Sequence, residues 1–369
     1  MMNRMIVGNL VHRPIRSMIS IVAVALEVTL ILLIVGLSLG MLQDQRNRNA
    51  GIGADVIVLP PGSSFIAGLT SAPMPIKIQD VLAKLPHVTL VSPVVTQVNS
   101  SGTLEIIAGI DLKSYEGLSG GFRYLEGGPF QGSYDALVDD LFAKSKHAKV
   151  GDTLELLNNK FRICGIVEHG KGARKFIPLT TLQDMIGVQN KANIFYLKLD
   201  DPNNADTVVG EIKHLPGMER YVVNSMATYL AAMSNTSNIP MLSTFINVVV
   251  GISLVIGVIV IFQAMYTAVM ERTREIGILK AMGASKLYIV NVVLRETLLL
   301  AIGGIILGVV VSLAARAGLT RRFPLLQVIV DGGWIVKATI IAIIGAIAGA
   351  LYPAFKAAQK DPIDALAYE

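Results

Sequence analysis

The chain has 369 residues, of which 52% are hydrophobic and only 16% charged, with a formal net charge of +5. An average soluble domain carries roughly 25% charged residues, so a wholly soluble globular protein is excluded, and a membrane protein with a polar middle is the first bound. The basic balance lacks the Lys/Arg stripe interleaved with aromatics that a nucleic-acid footprint requires, and no nucleic-acid partner is expected. A single cysteine, Cys164, excludes an intrachain disulfide framework and any all-cysteine metal site.

In chain order, residues 1–17 precede the first apolar run and carry Arg4, Arg13 and Arg16, which places them on the cytoplasmic side. Residues 18–41 are an apolar run, which at about 1.5 Å per residue is long enough to cross a bilayer. The rival reading is a cleaved signal peptide, with small residues Ser38-Leu39-Gly40 before Met41. The run is about twice the usual apolar stretch of such a leader, which favours an uncleaved first span. Glu27 interrupts it. A carboxyl at mid-span faces a protein interior or a water-filled pathway, or it ties neighbouring helices together through Ser and Thr hydroxyls; both readings stand.

Residues 42–240 are large enough for a core of their own and read as an α+β domain. Asp55–Leu59 and Val88–Val98 are expected as strands. Between them, Lys77–Leu85 is spaced as a helix with Ile78, Val81, Leu82 and Leu85 inward. The pattern returns with strand Ile194–Leu199, helix Ala205–Leu215 (Val208, Val209, Ile212 and Leu215 inward) and strand Tyr221–Asn224. Each helix ends in Leu-Pro, at Leu85-Pro86 and Leu215-Pro216, where proline stops it. A split βαβ sheet is predicted, with about residues 112–187 inserted as a second lobe. That lobe holds a hairpin from Gly151–Leu156 to Phe161–Val167 across Asn158-Asn159.

Three further spans follow: 241–268, 289–315 and 335–352. They are separated by a cytoplasmic elbow at 269–288 and a short outer loop at 316–334, and followed by a cytoplasmic tail at 353–369. Small residues Gly303, Gly304 and Gly308 in the third span, and Gly345, Gly349 and Ala350 in the fourth, provide faces on which helices approach backbone to backbone. Arg295 and Glu296 near the start of the third span are costly in hydrocarbon unless they reach the interface or a protein partner. Arg4, Arg13, Arg16, Arg272, Arg274, Lys280, Lys286, Lys356 and Lys360 fall on one side of this topology, against Arg316, Arg321 and Arg322 on the other. That places both termini in the cytoplasm and the 42–240 domain outside.

No catalytic constellation emerges. The chain has no Gly-rich phosphate loop ending in Gly-Lys-Ser/Thr, so no cofactor is expected on it. Its five histidines, His12, His87, His147, His169 and His214, have no zinc-site spacing, and no metal is expected. Cys164 on an apolar strand reads as a small core residue rather than as a nucleophile paired with His169.

The specific signal is Glu271-Arg272-Thr273-Arg274-Glu275-Ile276-Gly277-Ile278-Leu279-Lys280-Ala281-Met282-Gly283-Ala284-Ser285. Glu271 and Arg274, three apart, can pair on a helix surface. Ile278 and Met282 present an apolar strip, Gly283 ends the helix and Ser285 caps the next. Exposed Ile, Leu and Met beside a charged turn suit a docking surface for a cytoplasmic partner.

These residues resemble the signature of the FtsX/MacB-type permeases of ABC transporters. Asn9-Leu10 with Arg13-Pro14-Ile15-Arg16-Ser17 is similar to the family's leading amphipathic helix. Tyr352-Pro353-Ala354 through Asp361-Pro362-Ile363-Asp364-Ala365-Leu366 is similar to its closing tail. Gly53-Ala54-Asp55-Val56-Ile57-Val58, Val150-Gly151-Asp152-Thr153 and Ile177–Gly187 are similar to its periplasmic core domain. The fold implied is an α-helical membrane protein with four transmembrane helices and an α+β extracytoplasmic, MacB-like periplasmic core domain between helices 1 and 2.

The resemblance also implies a multi-pass protein of the bacterial cytoplasmic (inner) membrane that works as a non-catalytic homodimeric permease, embedded in the lipid bilayer. ATP and Mg are bound by a separate ATP-binding subunit, because MacB proper carries that domain fused and this chain does not. Closure of that subunit is relayed by mechanotransmission to the outer domain, driving export of a hydrophobic or amphipathic substrate. Carried over, the coupling residues are Glu271, Arg272, Arg274, Glu275, Met282, Gly283 and Ala284. The family's efflux branch also engages a periplasmic adaptor. The alternative is a non-transporting, FtsX-like regulator that activates a cell-wall hydrolase.

Overall fold

A computed structural model describes residues 14–63, 73–99, 105–234 and 239–360. These form two units, described in turn: one of residues 14–40, 241–322 and 328–360, and one of residues 41–240 and 323–327. Most of the leading segment and the tail beyond residue 360 lie outside the described residues, as does the stretch 64–72. Helix α1 (Pro14–Ala50) is a continuous helix of 37 residues, extending well past the expected end at Met41. Residues 42–50 contain no helix breaker, and Asp44 and Arg48, four apart, form an ion pair at 3.0 Å along it. The helix stops where Gly51 and Gly53 follow, Gly53 having φ +78°.

In the second unit, strand β1 (Val56–Leu59), a short strand β2 (Met74–Pro75), helix α2 (Ile78–Leu82), and strands β3 (Val88–Asn99) and β4 (Glu105–Ile110) come first. Helix α3 (Leu112–Ser119), strands β5 (Tyr124–Gly127) and β6 (Asp135–Asp139), helix α4 (Asp140–Lys146), and strands β7 (Thr153–Leu156), β8 (Asn159–Val167) and β9 (Lys175–Pro178) follow. Helix α5 (Leu179–Met185), strands β10 (Lys191–Ala192) and β11 (Ile194–Leu199), helix α6 (Ala205–His214), strand β12 (Val222–Ser225) and helix α7 (Met226–Ser234) complete it.

The main sheet runs β12-β1-β11-β3-β4-β9-β6-β8-β5, with β7 also on β8. Its first four strands are antiparallel neighbours, the order produced by two βαβ halves, β1-α2-β3 and β11-α6-β12. Leu82 of α2 and Val208 and Ile212 of α6 are fully buried against Val56, Val58, Phe195 and Leu197. The inserted residues do not build a separate sheet. The parallel pairing of β4 with β9 carries the same sheet onward, because β4 is left with a free edge that a second strand satisfies.

Two local expectations change. Helix α2 is five residues long, and Val81 is 50% exposed rather than inward, since in so short a helix only one turn meets the sheet. The hairpin turns one residue earlier than expected: Leu156 faces Asn159, so Leu157 and Asn158 are the central pair, with φ +49° and +62°, as the two-residue turn favoured between twisted strands requires.

In the first unit, α1 packs with α8 (Pro240–Glu271), α10 (Lys286–Arg322) and α11 (Gly332–Gln359), and α9 (Thr273–Ala281) joins α8 to α10. These four long helices are each long and apolar enough to cross a membrane. Several of the expected small residues make close contacts. A Cβ on Gly304 would lie 2.6 Å from Val24 Cβ, one on Gly308 2.8 Å from the Ala25 carbonyl oxygen, and one on Gly349 2.6 Å from that of Val258. Helix α10 passes the expected end at Ala315 and reaches Arg322, with Pro324 following. Helix α11 begins earlier than expected, at Gly332, where the Asp331 side chain accepts from Gly333 N at 2.9 Å. It also runs through Pro353 to Gln359, so helix occupies the start of the expected tail.

Candidate coupling elbow and buried carboxyl

The elbow is built by one interruption and one turn. Arg272, with φ −107° and ψ 18°, breaks the helix between α8 and α9. Its guanidinium turns to α10, where Nη1 donates to both carboxylate oxygens of Glu296 at 3.0 and 2.9 Å. The two side chains are 12% and 8% exposed, so each charge is compensated by the other out of water. The Glu271–Arg274 pair expected from spacing is not among the ion pairs of the described residues, because the break falls between the two. Glu271, Arg274 and Glu275 are exposed.

At the far end of α9, Gly283 N donates to Lys280 O and Ala284 N to Leu279 O, both at 3.0 Å. This 5→2 and 6→1 pattern is a Schellman turn, which needs the left-handed residue that Gly283 supplies at φ +94°. Ser285 Oγ then accepts from Tyr288 N at 3.2 Å, capping α10. Around the turn Met282 is 71% and Leu287 78% exposed, and Ile278 is also exposed; Ala284 is half-buried. Beneath α9 lies a mainly apolar pocket of about 310 Å³, lined by Met265, Val269, Ile276, Leu279, Ile289 and Val293, with Arg272 and Glu296 in its wall.

Sequence reasoning missed Glu296 as a member of this group, together with Lys280, whose Nζ donates to Ala358 O at 3.0 Å and to Lys360 O. The cost of a carboxyl near the start of an apolar helix signalled that Glu296 needs a partner; nothing in the spacing named Arg272, 24 positions earlier.

Glu27 lies deep among the helices, 5% exposed. Its Oε1 has no hydrogen-bond partner among the described atoms, so the expected tie to a hydroxyl is not made by that oxygen. Thr29 Oγ1, on the same helix, donates instead to Gly308 O at 3.2 Å. The carboxyl fills space that glycine leaves. A Cβ on Gly257 of α8 would overlap it, and one on Gly345 of α11 would lie 3.7 Å from Oε1.

In the other unit the end of α1 is anchored by a chain of charges. Asp44 meets Arg174 at 2.9 Å and Arg174 meets Asp139 at 3.2 Å, while Arg48 Nη1 donates to Gly172 O and Gly172 N to Arg48 O. Burial pushes the Asp139 carboxyl up, against the Phe142 N–H and Arg174 that favour its charged form. His87 and His169 meet Asp200 and Asp140 at 2.9 and 2.8 Å. Cys164 Sγ faces Ala136 O at 3.4 Å, and burial, with Asp135 nearby, pushes its thiol up to about 11, which suppresses the thiolate a nucleophile needs.

Comparison with known proteins matches residues 17–215 to the MacB-like periplasmic core domain and residues 247–362 to the FtsX-like permease C-terminal domain. The macrolide export ATP-binding/permease protein MacB of Shewanella sp. is 28% identical over 97% of this chain and 59% of its own length. The uncharacterized ABC transporter permease YknZ of Bacillus subtilis is 29% identical over 63% of this chain and 60% of its own. The chain thus spans about 60% of the length of these relatives. Among solved structures, the periplasmic region of MacB from Actinobacillus actinomycetemcomitans aligns with TM-score 0.40 and 19% identity, over 51% of this chain and 96% of that one. With a periplasmic core match covering more than half of its length and a permease match over the helices that follow, the chain belongs to the MacB/FtsX-like family of ABC transporter permeases.

Proposed function

We propose that this permease works by mechanotransmission: an ATP-binding subunit docks on the elbow from the cytoplasm, and its closure moves the extracytoplasmic domain to extrude a hydrophobic or amphipathic substrate. The observation that carries the reading is the elbow. Exposing Met282, Leu287 and Ile278 to water is unfavourable, yet the Schellman turn and the Ser285 cap hold this apolar tip in one conformation. A preformed apolar surface beside charged Glu271, Arg274 and Glu275 suits a protein partner, with the charges guiding its approach. Helix α1 supports the relay, since it runs unbroken from Pro14 to Ala50 and its last turns are tied to the β6 end and the segment before β9 through Asp44, Arg174 and Asp139.

In this reading the protein lies in the inner membrane with both termini cytoplasmic, acts as a homodimer, and leaves ATP and Mg to its partner. The named relatives of the MacB type export macrolides, and a macrolide is the first substrate to try. A periplasmic adaptor completes the efflux reading.

The test replaces Glu271 and Gly283. Gly283→Val forces a β-branched residue into the left-handed region, and Glu271→Lys inverts a charge at the rim. The expected result is a correctly inserted protein whose partner's ATP turnover no longer supports extrusion, a loss of about tenfold. Extrusion equal to that of the unmodified protein in both variants removes the docking assignment.

A further inference from the structure

The elbow helix α9 is fixed at both ends, and to two different membrane helices. At its first turn Arg272 holds Glu296, eleven positions into α10, with both carboxylate oxygens engaged by one nitrogen. At its last turn Lys280 Nζ reaches the carbonyl of Ala358, near the end of α11, where unpaired carbonyls and the negative end of the helix dipole favour a cation. The link from α8 is the interrupted residue Arg272, with Thr273 Oγ1 donating to the Val269 and Met270 carbonyl oxygens across the break. Between the two fixed points Ile276 is buried in the apolar core with Leu279 against it, and both also line the pocket of about 310 Å³, so the polar ties at the two ends add to an apolar contact in the middle.

We infer that Arg272–Glu296 and Lys280–Ala358 form a two-point clamp that makes the elbow move as one body with α10 and α11, and that Glu296 and Lys280 are positioning residues for coupling. The inference rests on the proposed docking of an ATP-binding subunit at the elbow and goes beyond it: it says which helices receive the push. Glu296 touches no partner surface, being 8% exposed, so its role is exerted through Arg272. A carboxylate that only satisfied Arg272 would matter for stability alone, whereas a clamp also sets how much of each ATP cycle reaches the outer domain.

The experiment uses the full chain purified together with the ATP-binding subunit it retains. Partner retention, ATP turnover, and the ATP-dependent change in hydrogen exchange of the 42–240 domain are measured in Glu296→Gln, in Lys280→Gln and in the exchanged pair Arg272→Glu/Glu296→Arg. The clamp predicts that both single variants keep the partner and turn over ATP within about twofold of the unmodified complex. It also predicts that the ATP-dependent exchange change falls about tenfold, and that the exchanged pair regains most of it.

Retained exchange change in a folded, partner-bound Glu296→Gln complex overturns the inference. So does loss of partner binding in that variant, which would place Glu296 in the docking surface. If Glu296→Gln fails to insert, the exchanged pair and Lys280→Gln decide: restored transmission in the first with lost transmission in the second supports the clamp, and any other combination overturns it. Failure of the unmodified chain to retain an ATP-binding subunit removes the proposed function first, and the clamp's role with it.

Discussion

Asp135 accepts hydrogen bonds from Gln131 N at 2.7 Å and Gly132 N at 2.9 Å and pairs with Arg162. Burial pushes its carboxyl up, but these N–H groups and the guanidinium outweigh that and hold it below the ordinary carboxylate value. A folded-state value below the unfolded one stabilises above the unfolded value of about 4 and is lost as pH falls through the folded one. Asp135→Asn should therefore lower the unfolding midpoint of the 42–240 domain at neutral pH by an amount that shrinks on acidification below about pH 4. A deficit independent of pH would show that Asp135 contributes no charge-dependent stability. A second residue-scale expectation concerns Glu27. Because its carboxyl fills the space beside Gly257, Gly257→Ala should destabilise the helices, and Glu27→Ala should remove most of that cost, with a coupling of about 0.5–3 kcal/mol in a double-mutant cycle. Strict additivity of the two would mean the carboxyl does not occupy that space. Glu27→Gln separates the two readings of the carboxyl: a stable protein that no longer extrudes favours a pathway role, and a poorly folded one a structural role.

The helices meet through glycines that differ in what surrounds them. At Gly304 a Cβ would lie 2.6 Å from Val24 Cβ and 2.8 Å from the Ile21 carbonyl oxygen, while at neighbouring Gly303 the nearest atoms are Ile21 side-chain carbons at 3.6 Å. Gly304→Ala should thus lower the thermal midpoint in detergent by the equivalent of about 1–3 kcal/mol, and Gly303→Ala should stay within about 0.5 kcal/mol. Equal effects at both positions would contradict the packing of α1 on α10. Sequence spacing identified both glycines as small-residue positions but could not separate them, since the distinction lies in which turn of α1 each one faces. Likewise the two βαβ halves were legible because both stretches repeat an apolar spacing and a Leu-Pro, although the first helix stops at Leu82, three residues before its Leu85-Pro86. That the inserted strands would join the same sheet was not legible, because it depends on the parallel β4–β9 pairing between residues far apart in sequence. Helix ends were extended for a local reason: residues 42–50 and 316–322 contain no proline, and their Gln, Arg, Leu and Ala outnumber the weaker helix formers among them.

For the whole molecule, the family was legible from the elbow phrase and its flanking motifs, whereas the clamp was not. Arg272 and Lys280 reach partners 24 and 78 positions away, and no periodicity links residues at such separations. Ile278, Met282, Gly283 and Ser285 were readable because a Schellman turn followed by a cap is written in consecutive residues. The membrane helices and the α+β domain are the fold of a permease, and the proposed function turns on their coupling to ATP. The most direct measurement is an affinity pull-down of the tagged protein from its native membrane in mild detergent, with mass spectrometry of what is retained, repeated with Gly283→Val. Docking at the elbow predicts an ATP-binding subunit held by the unmodified chain and depleted in the variant, together with a periplasmic adaptor for the efflux reading; a cell-wall hydrolase in the adaptor's place would redirect the function to regulation. Recovery of the chain with no ATP-binding subunit would rule out ATP-coupled docking at the elbow.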